Sequence, residues 1–379
     1  MTVSKQRSSN FELLRILAQL AILAYHFQSQ QSFLRDLPHN TIRAFSTLFL
    51  GSFGRTGVVV FIIIGSWFLI DMPFRSVRFV RLYLTTWFYT VTVTLAFLLL
   101  DIVPGGISGK DVFIAFTPFT SCALWFVSCY LFLLLISPFL NCLIRHLPPR
   151  LYRVLYWILL AAFVFFPTLD ALFFGLAALK IQWMVKSDLT AMIAIYMIVG
   201  YWKKVKEPFF ADRTRALHCV MALVACVAML RLAECFGKPV LADFILHKLT
   251  GFAESATWDI GSVICFGLSS SLFFLFRSFP FSSAFINRIA KNILGVYILH
   301  QVPCSYLVMW TWFHAEKWWN APYFLLGEFG VIAVIFAGCW LIDFMREWLM
   351  KPLYHAAWMQ RFLAKLDSFI IEEECPLKR

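Results

Sequence analysis

The sequence predicts an all-α polytopic membrane protein, a helical bundle with about ten transmembrane helices. Hydrophobic residues make up 61% of its 379 residues and charged residues only 14%, with a mean hydropathy of +0.76. Soluble domains are typically ~45–50% apolar and ~25% charged. Apolar runs recur along the chain, and most approach the ~20 residues that a helix needs to cross a bilayer. This composition excludes an ordinary soluble domain.

The apolar runs give the predicted helices in order, with boundaries good to a few residues. They are 11–30, 52–71, 80–101, 119–140, 152–173, 188–202, 216–233, 258–276, 290–312 and 322–345. The longest loops between them, near 28–51, 174–187 and 234–257, are too short for a soluble domain. We therefore expect one transmembrane domain, 1–346, followed by a short cytoplasmic tail, 347–379.

Positive charge predicts the topology, because short loops rich in lysine and arginine stay in the cytoplasm. With the N-terminus inside, 22 of the 33 lysines and arginines fall in cytoplasmic segments. Both termini are therefore expected in the cytoplasm, and this bias accounts for much of the net charge of +12 without a nucleic-acid partner. Phe11 to Phe27 is followed by no small-residue cleavage site, which favours an uncleaved first helix over a signal peptide.

The first helix contains two ionisable residues, Arg15 and His26. Eleven residues on a helix bring both side chains to within ~20° of one direction, about 16 Å apart along the axis. Ionisable groups inside a membrane segment usually carry function. Arg15 has the alternative of extending to the inner headgroups. His26, next to Tyr25 in the outer half of the segment, is the stronger functional candidate.

A basic turn opens the third predicted helix, where Arg75, Arg78 and Arg81 are spaced three residues apart. This spacing forms a band along one helix face, and guanidinium groups are well suited to phosphates. A polyphosphate donor fits this turn. The alternative is a plain positive-inside cluster, which most membrane proteins have.

Three further residues have two interpretations each. His300 either lines the same cavity as His26 or bonds a buried carbonyl. Glu328 either pairs with Arg15 or Arg55, or orients His26 as carboxylates often do for imidazoles. Trp125 is a packing residue or part of the donor site. Asp343 and Arg346 form an ordinary i, i+3 pair at the helix end.

Several site classes are not indicated by the sequence. Seven of the ten cysteines fall within apolar segments, and no pair has C-x-x-C or zinc spacing. No Walker lysine loop, G-x-G-x-x-G or G-x-S-x-G is present. We expect no metal and no ATP-driven work.

Several motifs together resemble the acyltransferase 3 family of integral membrane acyltransferases, over residues 10 to about 345. They are the R-x10-H of Arg15 and His26, the R-x-x-R of Arg78 and Arg81, GRTGVVVFIIIGSWFLI (54–70), LWFVSCYLFLLLISPFL (124–140) and GVYILHQ (295–301). The resemblance implies a ten-helix bacterial inner-membrane enzyme. Such an enzyme transfers an acyl group, usually acetyl, from cytoplasmic acyl-coenzyme A to a hydroxyl of a cell-envelope glycan or lipid-linked saccharide.

In that family the R-x10-H pair is required for activity, and the R-x-x-R is associated with the coenzyme A donor. The resemblance assigns these roles to Arg15 and His26, and to Arg78 and Arg81. Some members end in an extracytoplasmic esterase-like domain, which this sequence does not contain. A second transfer step would then need another protein.

The chemistry agrees with this resemblance. Acyl transfer to an alcohol needs a base near neutral pKa, which histidine supplies, and the thioester is already activated. Arg15, Trp125 or a backbone amide would serve as the oxyanion donor. Two other classes stay open, a secondary transporter and a polysaccharide polymerase or export protein. The lack of an internal repeat and of paired broken helices in the sequence argues against a transporter. Incorporation of label from acetyl-coenzyme A into a glycan separates the three classes.

Overall fold

The computed structural model describes residues 8–31, 41–103, 105–169, 187–237, 252–254, 257 and 259–371. All regular secondary structure in these residues is helical. The α-helices, numbered in chain order, are α1 Ser9–Gln30, α2 Ile42–Gly51, α3 Gly54–Leu69, α4 Ser76–Leu100, α5 Gly109–Phe116, α6 Trp125–His146, α7 Pro149–Leu160, α8 Phe166–Leu169, α9 Asp188–Lys204, α10 Arg213–Phe236, α11 Val263–Arg277, α12 Ala284–Ala290, α13 Ile293–Gln301, α14 Pro303–Met309, α15 Ala315–Trp318, α16 Phe324–His355 and α17 Ala357–Ile371. A π-helical turn, Ala161–Phe165, joins α7 to α8, and a 3-10 turn, Phe209–Ala211, precedes α10.

Six helical stretches in the described part of the chain are long and apolar enough to cross a membrane. They are Ile42–Leu69, Ser76–Leu100, Trp125–His146, Pro149–Leu169, Arg213–Phe236 and Phe324–His355. The prediction of an all-α, multi-pass membrane protein is confirmed. The count of ten spans, the cytoplasmic termini and the domain boundaries stay predictions.

The prediction differs from the observed helices at several places. The loop predicted near 28–51 contains α2, Ile42–Gly51, and two predicted helices also differ. The ninth, 290–312, contains two short helices, because Val302 takes an extended conformation (ψ 127°) before Pro303 begins α14. The residue before a proline is driven out of the helical region, and proline itself fits the first helical position. The tenth helix continues to His355 and is followed by α17, so helical structure reaches far into the predicted tail.

The chain divides into two compact units. The first contains the described residues of Met1–Trp67, Pro148–Ile293 and Phe313–Val334; the second contains those of Phe68–Leu147, Leu294–Trp312 and Ile335–Arg379. In the first unit, α1 packs on α2, α11 and α12, and α10 packs on α2 and α11. In the second unit, α4 packs on α5, α6, α14 and α17.

Close helix packing fixes the position of α1 in the first unit. Added Cβ atoms at Gly54 and Gly57 would overlap Tyr25 and the carbonyl of Ala18, respectively. As the numbering rises along α3 it falls along α1, so the two helices run antiparallel with their backbones in close approach. At the start of α1, Asn10 Nδ2 donates to the carbonyl of Phe276 at 2.8 Å and anchors this end to α11.

Candidate functional site

The polar residues of α1 share one helix face. Because α1 runs unbroken from Ser9 to Gln30, helical geometry applies across the whole interval from Arg15 to His26. Their side chains project within ~20° of each other and lie about 16 Å apart along the axis. Both residues are half-buried. This face is the candidate functional surface of the first unit.

Glu12 neutralises Arg15 at the start of this face. Arg15 Nη1 donates to Glu12 Oε1 at 2.9 Å, and the side chain of Arg15 is 28% exposed. The second carboxylate oxygen of Glu12 is buried and has no hydrogen-bond partner among the residues that the structure describes. The pair therefore retains acceptor capacity for a further group.

Gln19 follows one turn after Arg15 on the same face and was not predicted as a site residue from the sequence. The residue is 0% exposed. Neither its amide oxygen nor its amide nitrogen has a hydrogen-bond partner within the described part of the chain. A polar amide four residues after Arg15 in an otherwise apolar run was the sequence signal for it.

Two contacts place α2 and the start of α16 at the His26 end of α1. The rings of Phe27 and Phe324 lie 6.4 Å apart, and an added Cβ at Gly51 would meet the side chain of Gln28. His26 itself packs edge-on against the ring of Tyr25, with centroids 4.9 Å apart.

The buried carboxylate of Glu328 belongs to this end as well. Thr47 Oγ1 donates to Glu328 Oε2 at 2.9 Å, and both residues are buried. Thr47 lies one turn before Gly51, and Glu328 lies one turn after Phe324. Both are therefore on the helix faces that approach the His26 end of α1.

The sequence offered Arg15, Arg55 or His26 as the partner of Glu328. The structure instead pairs Arg15 with Glu12, and Arg55 Nη1 lies 3.9 Å from Asp188 Oδ1. Thr47 is the partner described for Glu328. An orienting role of Glu328 toward His26 stays a prediction.

The basic turn at the start of α4 lies in the second unit. Arg78 Nη1 donates to the carbonyl of Pro73 at 3.0 Å, and Arg81 stacks over the ring of Tyr354 at 4.9 Å. Arg75 is exposed and precedes the first residue of α4. The three arginines therefore remain at a solvent-accessible helix start, as a phosphate site requires.

A carboxylate already occupies the N-terminus of α4. The backbone N–H of Ser76 donates to Asp367 Oδ1 at 2.6 Å, and Ser76 Oγ donates to the carbonyl of Leu363 at 3.2 Å. Helix N-termini favour anions because their amide groups point outward and their dipole is positive. This contact shows that the start of α4 accepts an anionic group.

His300 and Trp125 join one aromatic cluster in the second unit. Trp125 packs on Phe126 (6.0 Å), Phe126 on Tyr297 (5.1 Å) and Tyr297 on His300 (5.7 Å), measured between ring centroids. His300 is fully buried, and its Nδ1 lies 2.8 Å from the carbonyl of Val296. The expected contact of His300 with a buried carbonyl is present, and a role of His300 in the cavity of His26 stays a prediction.

Two buried ionic networks were missed or underestimated from sequence. In the first unit, Arg231 donates to Glu234 (2.6 Å), to Ser52 Oγ (2.8 Å) and to Thr257 Oγ1 (3.1 Å). Glu234 is at i+3, but Ser52 and Thr257 are distant in sequence, so no spacing rule reveals them.

In the second unit, Asp343 accepts from Tyr89 and from Arg346, each at 2.8 Å. An added Cβ at Gly295 would overlap its carboxyl group. The predicted i, i+3 pair of Asp343 and Arg346 is confirmed, but it lies within α16 and its predicted place at a helix end was wrong.

Comparison with known proteins gives the family. No curated protein and no solved structure gave a match. The family profile described as an acyltransferase domain matches residues 8–344, which is far more than half of the chain. The match runs from the start of α1 into α16 and includes the R-x10-H pair, the R-x-x-R turn and GVYILHQ. This multi-pass membrane protein therefore belongs to the acyltransferase 3 family.

Proposed function

We propose that this membrane acyltransferase moves an acetyl group from cytoplasmic acetyl-coenzyme A to a hydroxyl of a cell-envelope glycan or lipid-linked saccharide in a bacterial inner membrane. The polar face of α1 carries the proposal. It combines a cation at Arg15 with an imidazole at His26 on one helix face, inside an otherwise apolar segment. Family membership supports acyl transfer, while acetyl, coenzyme A and the glycan belong to the proposal.

His26 is proposed as the general base. It removes the proton from the acceptor hydroxyl, whose oxygen attacks the thioester carbonyl carbon. A carbon–oxygen bond forms, the carbon–sulfur bond breaks, and the coenzyme A thiolate takes the proton back from the imidazolium. Arg15 lies about 16 Å from His26 along α1, so it is proposed to bind a negatively charged group of the donor. Glu328 is proposed to favour the required orientation of His26, because it lies at the same end of α1.

Arg78 and Arg81 are proposed to bind the phosphates of coenzyme A, with Arg75 adding charge. The exposure of Arg75 and Arg81 at the start of α4 supports this assignment. Trp125, at the first position of α6, is proposed as a packing residue of the donor region. We further propose that both termini face the cytoplasm. Cys122 and Cys226 are the two exposed cysteines among the residues that the structure describes. In a variant with both replaced by serine, a cysteine at position 75 should then react with an impermeant reagent only after permeabilisation.

The decisive experiment uses two labels on one donor. Purified protein in lipid nanodiscs receives acetyl-coenzyme A labelled on either the acetyl group or the adenine, together with envelope glycan. The proposal is supported if the acetyl-labelled donor, and not the adenine-labelled donor, leaves label on the glycan and alkali removes that label. No transfer from either donor under conditions where the protein is folded contradicts it.

A secondary transporter remains the second candidate because of one observation. The break at Val302 between α13 and α14 resembles the interrupted helices that line transporter sites. Sugar accumulation in proteoliposomes without acetyl transfer would favour this alternative. A polysaccharide export or polymerisation role predicts glycan elongation or translocation, again without transfer of acetyl label.

A further inference from the structure

Gln19 is a buried amide whose position has no explanation in the packing of the protein. It is 0% exposed, and both polar atoms of its side chain lack a hydrogen-bond partner in the described part of the structure. Nearly all buried polar groups in native proteins are paired, and an unpaired one is unfavourable. An apolar residue of similar size would stabilise the helix interior better. The amide is therefore best explained by a ligand that pairs with it.

The location of Gln19 on α1 restricts what that ligand is. It lies one turn, about 6 Å, beyond Arg15 and seven residues, about 10 Å, before His26 along the axis. All three side chains project from the same helix face. A ligand that extends from Arg15 toward the reacting centre at His26 passes Gln19.

We propose that Gln19 binds an amide of the pantetheine arm of the acyl donor. This inference rests on the proposed function, since it takes acyl-coenzyme A as the donor. A primary amide can pair with either polar group of a secondary one: Gln19 Nε2 donates to the carbonyl of the arm, or Gln19 Oε1 accepts from its N–H. A trans amide presents these two groups on opposite sides, so Gln19 makes one of the two bonds to it. An arm buried in a helical bundle needs such partners, because unpaired amides are costly in an apolar medium.

The dimensions of the arm agree with this assignment. An extended chain advances roughly 3.5 Å for every three bonds. Eight bonds separate the thioester carbonyl carbon from the nitrogen of the more distant pantetheine amide, which is about 9 Å. That distance is close to the axial separation of His26 and Gln19, about 10 Å, so the more distant amide is the predicted contact.

Gln19→Leu tests the proposal, with Ser66→Ala as the matched control. Ser66 Oγ is another buried polar atom of the first unit without a described hydrogen-bond partner, on α3. Both variants remove an unpaired polar group, so both should unfold at or above the wild-type temperature without donor. Only Gln19→Leu should raise the KM for acetyl-coenzyme A, by at least tenfold. Gln19→Met, closer in length to glutamine, serves as a second apolar variant.

A truncated donor isolates the amide. S-acetyl-N-acetylcysteamine lacks the more distant amide, so wild type and Gln19→Leu should use it with the same KM. An unchanged KM for acetyl-coenzyme A in a folded Gln19→Leu variant would overturn the proposal. So would a rise confined to the KM of the glycan acceptor, or an equal loss with the truncated donor. Failure of the proposed function is distinct, because the wild type would then transfer no acetyl from either donor.

Discussion

Two arginines of the first unit each pair with a glutamate three residues away, yet their surroundings differ. Arg231 donates to Glu234, Ser52 and Thr257, and its side chain is 8% exposed. Arg15 has one described bond, to Glu12, and its side chain is 28% exposed. The arginine–glutamate pair at Arg231 therefore has its hydrogen-bond donors satisfied. The pair at Arg15 has donors that no described residue accepts from, and Glu12 Oε2 accepts from no described residue.

This difference is the one we expect between a structural ion pair and the ion pair of the proposed site. A buried charge is tolerated only when its hydrogen bonds are satisfied. Arg231 meets this condition entirely within the protein. The face of α1 does not, because Glu12 Oε2 and both amide atoms of Gln19 have no partner among the described residues. This unused hydrogen-bonding capacity lies on the same helix face as Arg15 and His26, where we propose that the substrate binds.

The largest expected effect is at the α1 face. His26→Ala should lower the rate of acetyl transfer by about 10²–10⁴-fold, because general-base catalysis contributes that much. Folding should be unaffected, since His26 is only half-buried. The initial rate with labelled acetyl-coenzyme A and the unfolding temperature are measured together. His218→Ala, an exposed histidine on α10, is the control. Near-normal turnover by a folded His26→Ala variant would refute the assignment.

Arg231→Leu should show the opposite pattern, a loss of stability. Removing one partner of a buried pair leaves Glu234 unpaired and costs about 3–5 kcal/mol of unfolding free energy. The double variant Arg231→Leu/Glu234→Leu should recover most of this loss, because no buried charge remains. Chemical denaturation in detergent measures both. Arg15→Leu should cost less stability than Arg231→Leu; if the two losses are equal, the distinction between the pairs fails.

A smaller effect is expected at the start of α4. Arg78→Ala and Arg81→Ala should each weaken coenzyme A binding by about 1.5–3 kcal/mol, the value of one charge-assisted phosphate contact. The loss should shrink as salt rises, because screening already weakens the contact. Calorimetric titration measures the Kd, with Arg145→Ala at the end of α6 as control. Unchanged affinity in both variants would leave these arginines as topology signals only.

The smallest effect concerns a third arginine–glutamate pair, on the surface. Arg277 donates to both carboxylate oxygens of Glu207 at 2.6 and 2.8 Å, and this hydrogen bonding lowers the pKa of Glu207 below its ordinary value. The ion pair therefore stabilises the folded state at any pH above the ordinary pKa of a carboxyl group. This stabilisation is lost as pH falls through the lowered pKa of Glu207. Glu207→Gln should remove under ~1 kcal/mol near pH 7 and nothing in strong acid, because exposed pairs are weak. An effect that grows as pH falls would contradict this account.

The sequence predicted the fold class well because a lipid environment leaves few choices. A segment of about 20 apolar residues satisfies its backbone groups in a bilayer only as a helix. The break at Val302 was not predicted, since the apolar run continues across Pro303 and hydropathy alone does not register the proline. The continuation of α16 to His355 was missed for a related reason: hydropathy falls where the charged residues begin, while the helix does not end.

The candidate site was only partly predictable. Arg15 and His26 are visible because ionisable residues are rare in apolar runs and one helix carries both. The pair of Thr47 and Glu328 joins residues that are far apart in sequence, so only the tertiary structure reveals it. The helical period of 3.6 residues already places Gln19 on the same face as Arg15. Its importance depends on its burial and on the absence of described hydrogen-bond partners, which a sequence does not show.

The close contacts of Gly54 and Gly57 fix the register of α1 against α3. They meet Tyr25 and Ala18, two turns apart, so α1 is held at two heights at once. One residue inserted between these contacts would turn the rest of the helix by ~100° and lengthen it by ~1.5 Å. Sliding would restore one contact only by breaking the other. The number of residues in this stretch is therefore a stricter constraint than the identity of most of them, and deletions or insertions here should be tolerated less than substitutions.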